Sequence, residues 1–293
     1  MSIPEVDLAA LKKIGTIQQR QKEFFVLRLR LVGGDITSEL MEKVTAIAKE
    51  YGRGELHLST RQGIEIPFVH YSKAEAARQA IEAAGLKMGA CGPRFRIIIA
   101  CPGDTICRWG IIDTKTIAKE LDEKYFGTET PHKFKLAVTG CPHNCAKSTE
   151  NDIGIMGALL PGWKDELCID CKLCVNVCPT QAITREVSAD QKRKYVLHED
   201  KCINCNICTS ACPVDSWVPV KSGYNLTIGG TMGKIPRFGT VLKKLIKDKD
   251  ELYALIDKAL RYYQKNGRKK ERFGHMIDRL GIEKVNQEII NGD

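Results

Sequence analysis

No run of apolar residues in this sequence approaches the ~18 that a membrane-crossing helix requires, so no membrane partner is expected. The opening residues, MSIPEVDLAALKK, lack the basic stretch followed by an apolar stretch that marks a secretory signal, and the expected compartment is the cytoplasm. No G-x-G-x-x-G follows a strand-like segment, which argues against a nicotinamide or flavin site in this chain. No nucleic-acid motif accompanies the net charge of +9 either, so no nucleic-acid partner is expected. Hydrophobic (43%) and charged (28%) contents are those of an ordinary soluble protein, and 293 residues suffice for one large domain or two to three small ones.

What the sequence has in excess is cysteine, 13 in all. With no secretory signal, and in tight C-x-x-C clusters, these read as metal ligands rather than disulfides. So many thiolates also point to an anaerobic or strongly reducing setting. Cys168, Cys171, Cys174 and Cys178 form C-x-x-C-x-x-C-x-x-x-C-P, and Cys202, Cys205, Cys208 and Cys212 repeat the run 34 residues later. Three closely spaced thiolates hold three irons of one [4Fe–4S] cubane, and the fourth, before proline, turns away to ligate the other. Cys168, Cys171, Cys174 and Cys212 are therefore expected at one cluster, and Cys202, Cys205, Cys208 and Cys178 at the second. A structural zinc site would want wider loops between ligand pairs.

Along the chain, EFFVLRLRLV (23–32) alternates as a strand, and a helix is expected from Thr37 to a stop at Gly52. Strand-like stretches at 55–60 and 64–69 lead to a helix opened by Ser72 and Glu75 as a capping box and ended by Gly85. Strands RFRIIIA and KFKLAVT run into Cys101 and Cys141, with a helix at 114–126 between them. Helical patterns at 239–266 and 270–290 close the chain, the first carrying a basic run read as a solvated helix face. Residues 163–220 differ in kind: they hold the repeated cysteines and a near-neutral seven Lys/Arg against eight Asp/Glu. They read as an insertion, with Gly162 and Gly223 as flexible joints, and as the docking face for an electron donor.

Cys101 and Cys107 (C-x5-C) and Cys141 and Cys145 (C-x3-C) could hold a third cluster, or could be four unrelated buried thiols. Their Gly/Pro-containing loops, ACPGDTIC and TGCPHNC, favour the cluster. Three basic–x–basic triplets stand nearby: Arg28-Leu29-Arg30, Arg94-Phe95-Arg96 and Lys133-Phe134-Lys135. Period 2 places both cations of a triplet on one strand face. One such triplet is usually a solvated face; three suggest a pocket for a small anion. Arginine would fix its oxygens and lysine could also deliver protons.

In VLRLRLVGG, LHLSTRQGIEI, RIIIACPGDTIC, HKFKLAVTGCPHNC, ENDIGI, GYNLTIGG and ERFGHMIDRLG, over nearly its whole length, the chain resembles the sirohaem-dependent sulfite and nitrite reductases. It is most similar to their one-repeat form with an inserted two-cluster ferredoxin. The resemblance implies an α+β fold with three parts. These are a ferredoxin-like half-domain (1–88), a mixed α+β sirohaem and [4Fe–4S] domain (89–162 and 221–293), and an inserted bacterial-type 2[4Fe–4S] ferredoxin domain (163–220). It implies that Cys101, Cys107, Cys141 and Cys145 bind a third cluster, with Cys145 also the proximal ligand of the sirohaem iron. Arg28, Arg96, Lys133 and Lys135 would surround the substrate. Arg61 would contact sirohaem carboxylates, with Arg30, Arg94 and Arg237 further candidates. Cys91 matches no ligand position and is expected as a buried free thiol; His57, His132 and His143 are expected as loop residues.

The activity so implied is six-electron reduction of sulfite to sulfide, fed through the inserted ferredoxin. Nitrite reduction to ammonia and a non-catalytic electron-transfer role are the alternatives. The expected partners are the anion, a donor ferredoxin or reductase subunit, and further copies of the chain. Better-known members carry two tandem repeats and this chain one, so a homodimer or dimer of dimers is expected.

Overall fold

The computed structural model describes residues 7–189 and 191–292. A short helix α1 (Leu8–Lys13) precedes β1 (Thr16–Gln18), β2 (Phe24–Arg28), α2 (Ser38–Tyr51), β3 (His57–Leu58), β4 (Ile64–His70) and α3 (Tyr71–Ala83). The strands form an antiparallel sheet in the order β1-β2-β4-β3. Its inner face buries Leu27, Ile64, Ile66 and Val69 against Val44, Ile47, Ala77 and Ile81 of the two helices. Each such side chain, fully buried, contributes roughly 1.5–3 kcal/mol.

Helix α2 starts and stops as its sequence predicts: the Thr37 side chain accepts from the Leu40 amide, and Gly52 ends it. The start of α3 differs. His70, not Ser72, is the cap, its Nδ1 accepting from the Ser72 amide, while Glu75 turns to Arg78. An arginine one turn on is a stronger partner for that carboxylate than a backbone N–H.

The second sheet has the order β11-β10-β7-β6-β5. In chain order its surroundings are β5 (Ile99–Ala100), α4 (Thr114–Tyr125), β6 (Leu136–Thr139), β7 (Ile153–Trp163), α5 (Leu173–Val177), β8 (Ile183–Val187), β9 (Arg193–Leu197) and α6 (Ile207–Ala211). There follow β10 (Trp217–Ile228), β11 (Thr240–Ile246), α7 (Lys249–Asn266), α8 (Phe273–Leu280) and α9 (Ile282–Asn291). β5, β6 and β7 are parallel, and β7–β10–β11 antiparallel. The core between this sheet and α4, α7, α8 and α9 contains an aromatic column of Phe95, Phe134, Tyr263 and Phe273, with centroids 5.2–5.6 Å apart.

The expected helix over 239–266 begins ten residues late. Thr240–Ile246 instead pairs with β10, burying Leu242 and Ile246, because the β10 edge offers a ladder that a short helical turn could not match. Lys243 and Lys244 thus lie on a strand. The last helical pattern breaks at Gly281 (φ +90), which separates α8 from α9.

β7 and β10 run on beyond the sheet as a two-stranded ribbon that ends at the Trp163–Trp217 pair, with Pro161 opposite Pro219 and an irregular register between Pro219 and Lys221. Residues 164–216 lie between the two ends. Gly162 and Gly223 are not joints: both sit inside the ladder, opposite Val218 and Ala158. Gly157 is needed for another reason. A Cβ there would stand 2.2 Å from the Gly140 carbonyl oxygen, so only glycine lets β7 pass under the loop that carries Cys141.

Candidate active site

The middle residues of two triplets anchor the site. Phe95 and Phe134 are fully buried and bridge each other, the Arg96 amide donates to the Phe134 carbonyl, and the Phe134 amide to that of Arg94. With both rings in the core, Arg96, Lys133 and Lys135 are left on the opposite side. There they line one cleft with Arg28, Arg61, Cys91, Ser59 and Thr60. A second cleft adjoins it, sharing Thr60, Arg61 and Lys135, and is lined also by Gln62, Cys145, Lys147, Asn151 and Met232. The four cations expected around an anion are together, and Cys145 opens into the neighbouring space.

Three further candidates lie elsewhere. Regular strand ends at Arg28, and Arg30 turns away to pair with the fully buried Asp122 of α4 (2.5 Å) and to cover the Phe126 ring. Arg94 pairs with Glu129 at 3.4 Å. Arg237 holds Asp278 and the Gly229 and Phe238 carbonyls, bracing the β10–β11 loop. The shared-face reading therefore holds for Lys133 and Lys135 but not for the other two triplets: Arg30 and Arg94 are claimed by carboxylates away from the cleft, and Arg28, though on the cleft, is itself paired with Glu65 at 2.7 Å.

Arg61 sits on the β3–β4 turn and spans both clefts. It donates to Asn151 Oδ1 (2.9 Å) and the Ile97 carbonyl (2.7 Å), and burial, with Arg96 nearby, lowers its pKa to about 10. Next to it Gln62 pairs with both backbone groups of Ala100 (2.8 and 2.9 Å), tying the first sheet to the strand that leads to Cys101.

Burial first, then Arg61, Arg272 and Lys133, lowers the Lys135 pKa to about 8; burial with Arg272 and Arg96 lowers that of Lys133. Arg272, in ERFGHMIDRLG, acts on both lysines although the triplet pattern gives no sign of it. It forms a buried pair with Asp152 (2.6 Å), whose Oδ2 also accepts from the Lys135 amide at 2.9 Å. Sequence gives little sign of this pair, since 120 residues separate its members. Cys91 is buried, as expected of a free thiol, but its place is within the cation cleft, where it accepts a hydrogen bond from Arg28. Burial and the surrounding cations also keep His132 below its usual pKa.

The four thiols of Cys101, Cys107, Cys141 and Cys145 come together where the two loops meet. The Gly140 amide donates to Cys101 Sγ (3.0 Å) and the Ile111 amide to the Gly140 carbonyl. The Cys141 thiol is pushed up by burial and by the other three thiols. His143 contacts Cys141 Sγ through Nδ1 (3.3 Å) and stacks near Trp109.

Residues 164–216 enclose two cavities. One is lined by Cys168, Cys171, Cys174 and Cys212, the other by Cys178, Cys202, Cys205 and Cys208. This is the crossed grouping the repeat predicts, three thiols from one run and the fourth from the other. The repeat extends to the backbone. Asp170 and Lys172 adopt left-handed φ, as do Asn204 and Asn206, and the Ala182 and Ser216 amides donate to Cys178 and Cys212 Sγ, each at 3.2 Å. Three thiols at C-x-x-C-x-x-C spacing with a fourth from the other run suit a polynuclear centre better than zinc. The cation-lined double cleft likewise fits a macrocycle bearing carboxylates, with Cys145 among the residues lining it.

Two domain families match: the "nitrite/sulfite reductase ferredoxin-like half domain" over residues 17–84, and the "nitrite and sulphite reductase 4Fe-4S domain" over 91–292. The coenzyme F420-dependent sulfite reductase of Methanocaldococcus jannaschii is 32% identical over 278 residues, 94% of this chain but only 44% of that one. One of the subunits of the anaerobic sulfite reductase of Salmonella typhimurium is 28% identical over 286 residues, covering 91% of this chain and 83% of that polypeptide. In fold the chain is similar to dissimilatory sulfite reductase I, with TM-score 0.76 at 19% identity, over 92% of this chain and 69% of that one. Among the described residues no helix is long and apolar enough to cross a membrane. With the 4Fe-4S domain matched over 91–292 and the half-domain before it, this chain belongs to the nitrite and sulphite reductase family.

Proposed function

We propose that this chain reduces sulfite to sulfide in the cytoplasm, with residues 163–220 acting as a built-in two-cluster ferredoxin. The observation that carries the reading is the convergence of Arg28, Arg96, Lys133 and Lys135 on one cleft that adjoins Cys145. The names of its sulfite-reducing relatives support the substrate. When bound, three [4Fe–4S] clusters and a sirohaem would supply the electrons singly and an open iron position for the anion.

The chain's own residues do the rest. Arg28, held by Glu65 and Cys91, and Arg96, held by the Ala90 and Gly92 carbonyls, join the lysines in offsetting the anion's charge. Conversion of SO3(2−) to S(2−) and three waters consumes six protons along with the six electrons. Lys135, with its pKa lowered to about 8, holds a proton it can release near neutral pH, and Lys133 stands beside it. Arg61, Lys147 and Gln62 would face the macrocycle.

A second copy of the chain is the natural neighbour for the cleft. The half-domain is matched once, and Leu58, Ile235 and Phe238 are exposed on β3 and on the loop carrying Met232. The near-neutral insert is the docking face for an electron-donor protein.

The test is anaerobic turnover with a strong one-electron donor, assaying sulfide from sulfite and ammonia from nitrite. Sulfide production with roughly 13 irons per chain supports the reading. Ammonia alone would reassign the substrate, and neither product from fully loaded protein would leave a non-catalytic role.

A further inference from the structure

The two cysteine cavities of residues 164–216 are related by the 34-residue repeat, yet their surroundings are not. Trp163 and Trp217 flank the cavity of Cys168, Cys171, Cys174 and Cys212. The Trp163 indole faces Cys168 and the Trp217 indole faces Cys174. Both indole Nε1–H groups are buried, and neither has a hydrogen-bond partner of normal geometry. Advancing Trp163 by one repeat gives Leu197, and moving Trp217 back by one gives Ile183. Both of these aliphatic residues line the other cavity.

We infer that the Trp163 and Trp217 indoles set the two cubane sites to different reduction potentials, that of Cys168, Cys171, Cys174 and Cys212 being the higher. The inference rests on the reading of this segment as a two-cluster ferredoxin. A buried N–H with no acceptor is costly, and the acceptors at hand are the sulfurs of a bound cluster. Cluster sulfurs gain negative charge on reduction, so each N–H···S bond favours the reduced form and raises the potential. Arg193 adds a cation on the same side, donating to the Cys168 carbonyl. The second site has Leu197 and Ile183 in the matching places, neither with a donor, and its side-chain groups nearest sulfur, Thr180 and Asn204, stand off at 3.8 and 4.0 Å. The module is thus polarised: an electron shared between its clusters rests at the tryptophan-flanked one.

The test is a redox titration of the loaded full-length chain, followed by electron paramagnetic resonance, for the native protein, Trp163→Phe and Trp217→Phe. Phenylalanine keeps an aromatic ring but removes the donor together with the pyrrole half of the indole. Each variant should move the higher-potential cluster by about tenfold in its reduction equilibrium, about 59 mV more negative for a one-electron couple, and leave the other cluster in place. In native protein, electron–nuclear double resonance on the higher-potential cluster should show deuterium-exchangeable indole protons coupled to it, a readout independent of how the variants fold. Two loaded clusters with equal potentials, equal shifts at both, or no coupled indole proton would overturn the inference. Iron analysis showing no cubanes in this segment would instead overturn the reading beneath it.

Discussion

The cation cleft and the cysteine cavities are assembled in opposite ways. Each cavity draws its ligands from one 45-residue stretch, in which spacing alone dictates which thiols can meet. The cleft draws on residues from Arg28 to Lys135, delivered by both sheets and the loops between them. Short-range constraint makes the first kind of site legible in sequence, whereas the second depends on which carboxylates lie within reach once the chain has folded.

The largest break between the two should come from excision. Replacing residues 164–216 by an Asn-Gly turn between the paired Trp163 and Trp217 closes a hairpin the ladder already favours. The product should lose about eight irons, keep the Cys101–Cys145 cluster, and turn over with a small reducing dye but not with a protein donor. Loss of both rates with cofactors retained would make the segment part of the active-site structure.

Arg30→Ala should act on stability, not on substrate. It leaves Asp122 buried without its cation, at a cost of about 3–5 kcal/mol, visible as a lower denaturant midpoint with KM unchanged. Lys135→Ala should do the reverse, lowering turnover roughly 10- to 100-fold with a near-native melting curve. Lys135 donates only while protonated, so the native rate should fall as pH rises through about 8. Lys135→Arg, which keeps the charge but cannot give up its proton, should lower the rate at every pH and remove that limb. The smallest effect belongs to Arg94→Ala, whose ion pair is long and half exposed: within about 0.5 kcal/mol, and no change in KM. A raised KM there would put Arg94 back among the substrate cations.

These contrasts also mark how far the sequence could be read. The crossed grouping of Cys178 and Cys212 and the cap and stop of α2 at Thr37 and Gly52 follow from local spacing. Alternation marks all six triplet cations alike; that Arg28, Arg96, Lys133 and Lys135 are the ones at the cleft is what the resemblance implies. Arg30, Arg94 and Arg237 lie away from the cleft because Asp122, Glu129 and Asp278 are remote in sequence and near in space. The Asp152–Arg272 pair is hidden for the same reason, and β11 because VLKKLI suits a helix until the open edge of β10 is in view.

The facing prolines of the β7–β10 ribbon have a consequence for how copies of this chain behave in a crowded solution. Opposed residues in an antiparallel pair either exchange both N–H···O bonds or exchange none. Proline has no N–H, so Pro161 and Pro219 must form a pair of the second kind, with their ring nitrogens turned outward. Outward is where each strand would otherwise offer a donor to a passing strand. The ribbon also carries Val220, 60% exposed, the sort of apolar residue that invites such an encounter. With a proline facing outward on each strand, a register irregularity between 219 and 221, and the β7 margin already bridged at Leu159 to Cys205, the arm bearing the cysteines resists edge-to-edge aggregation.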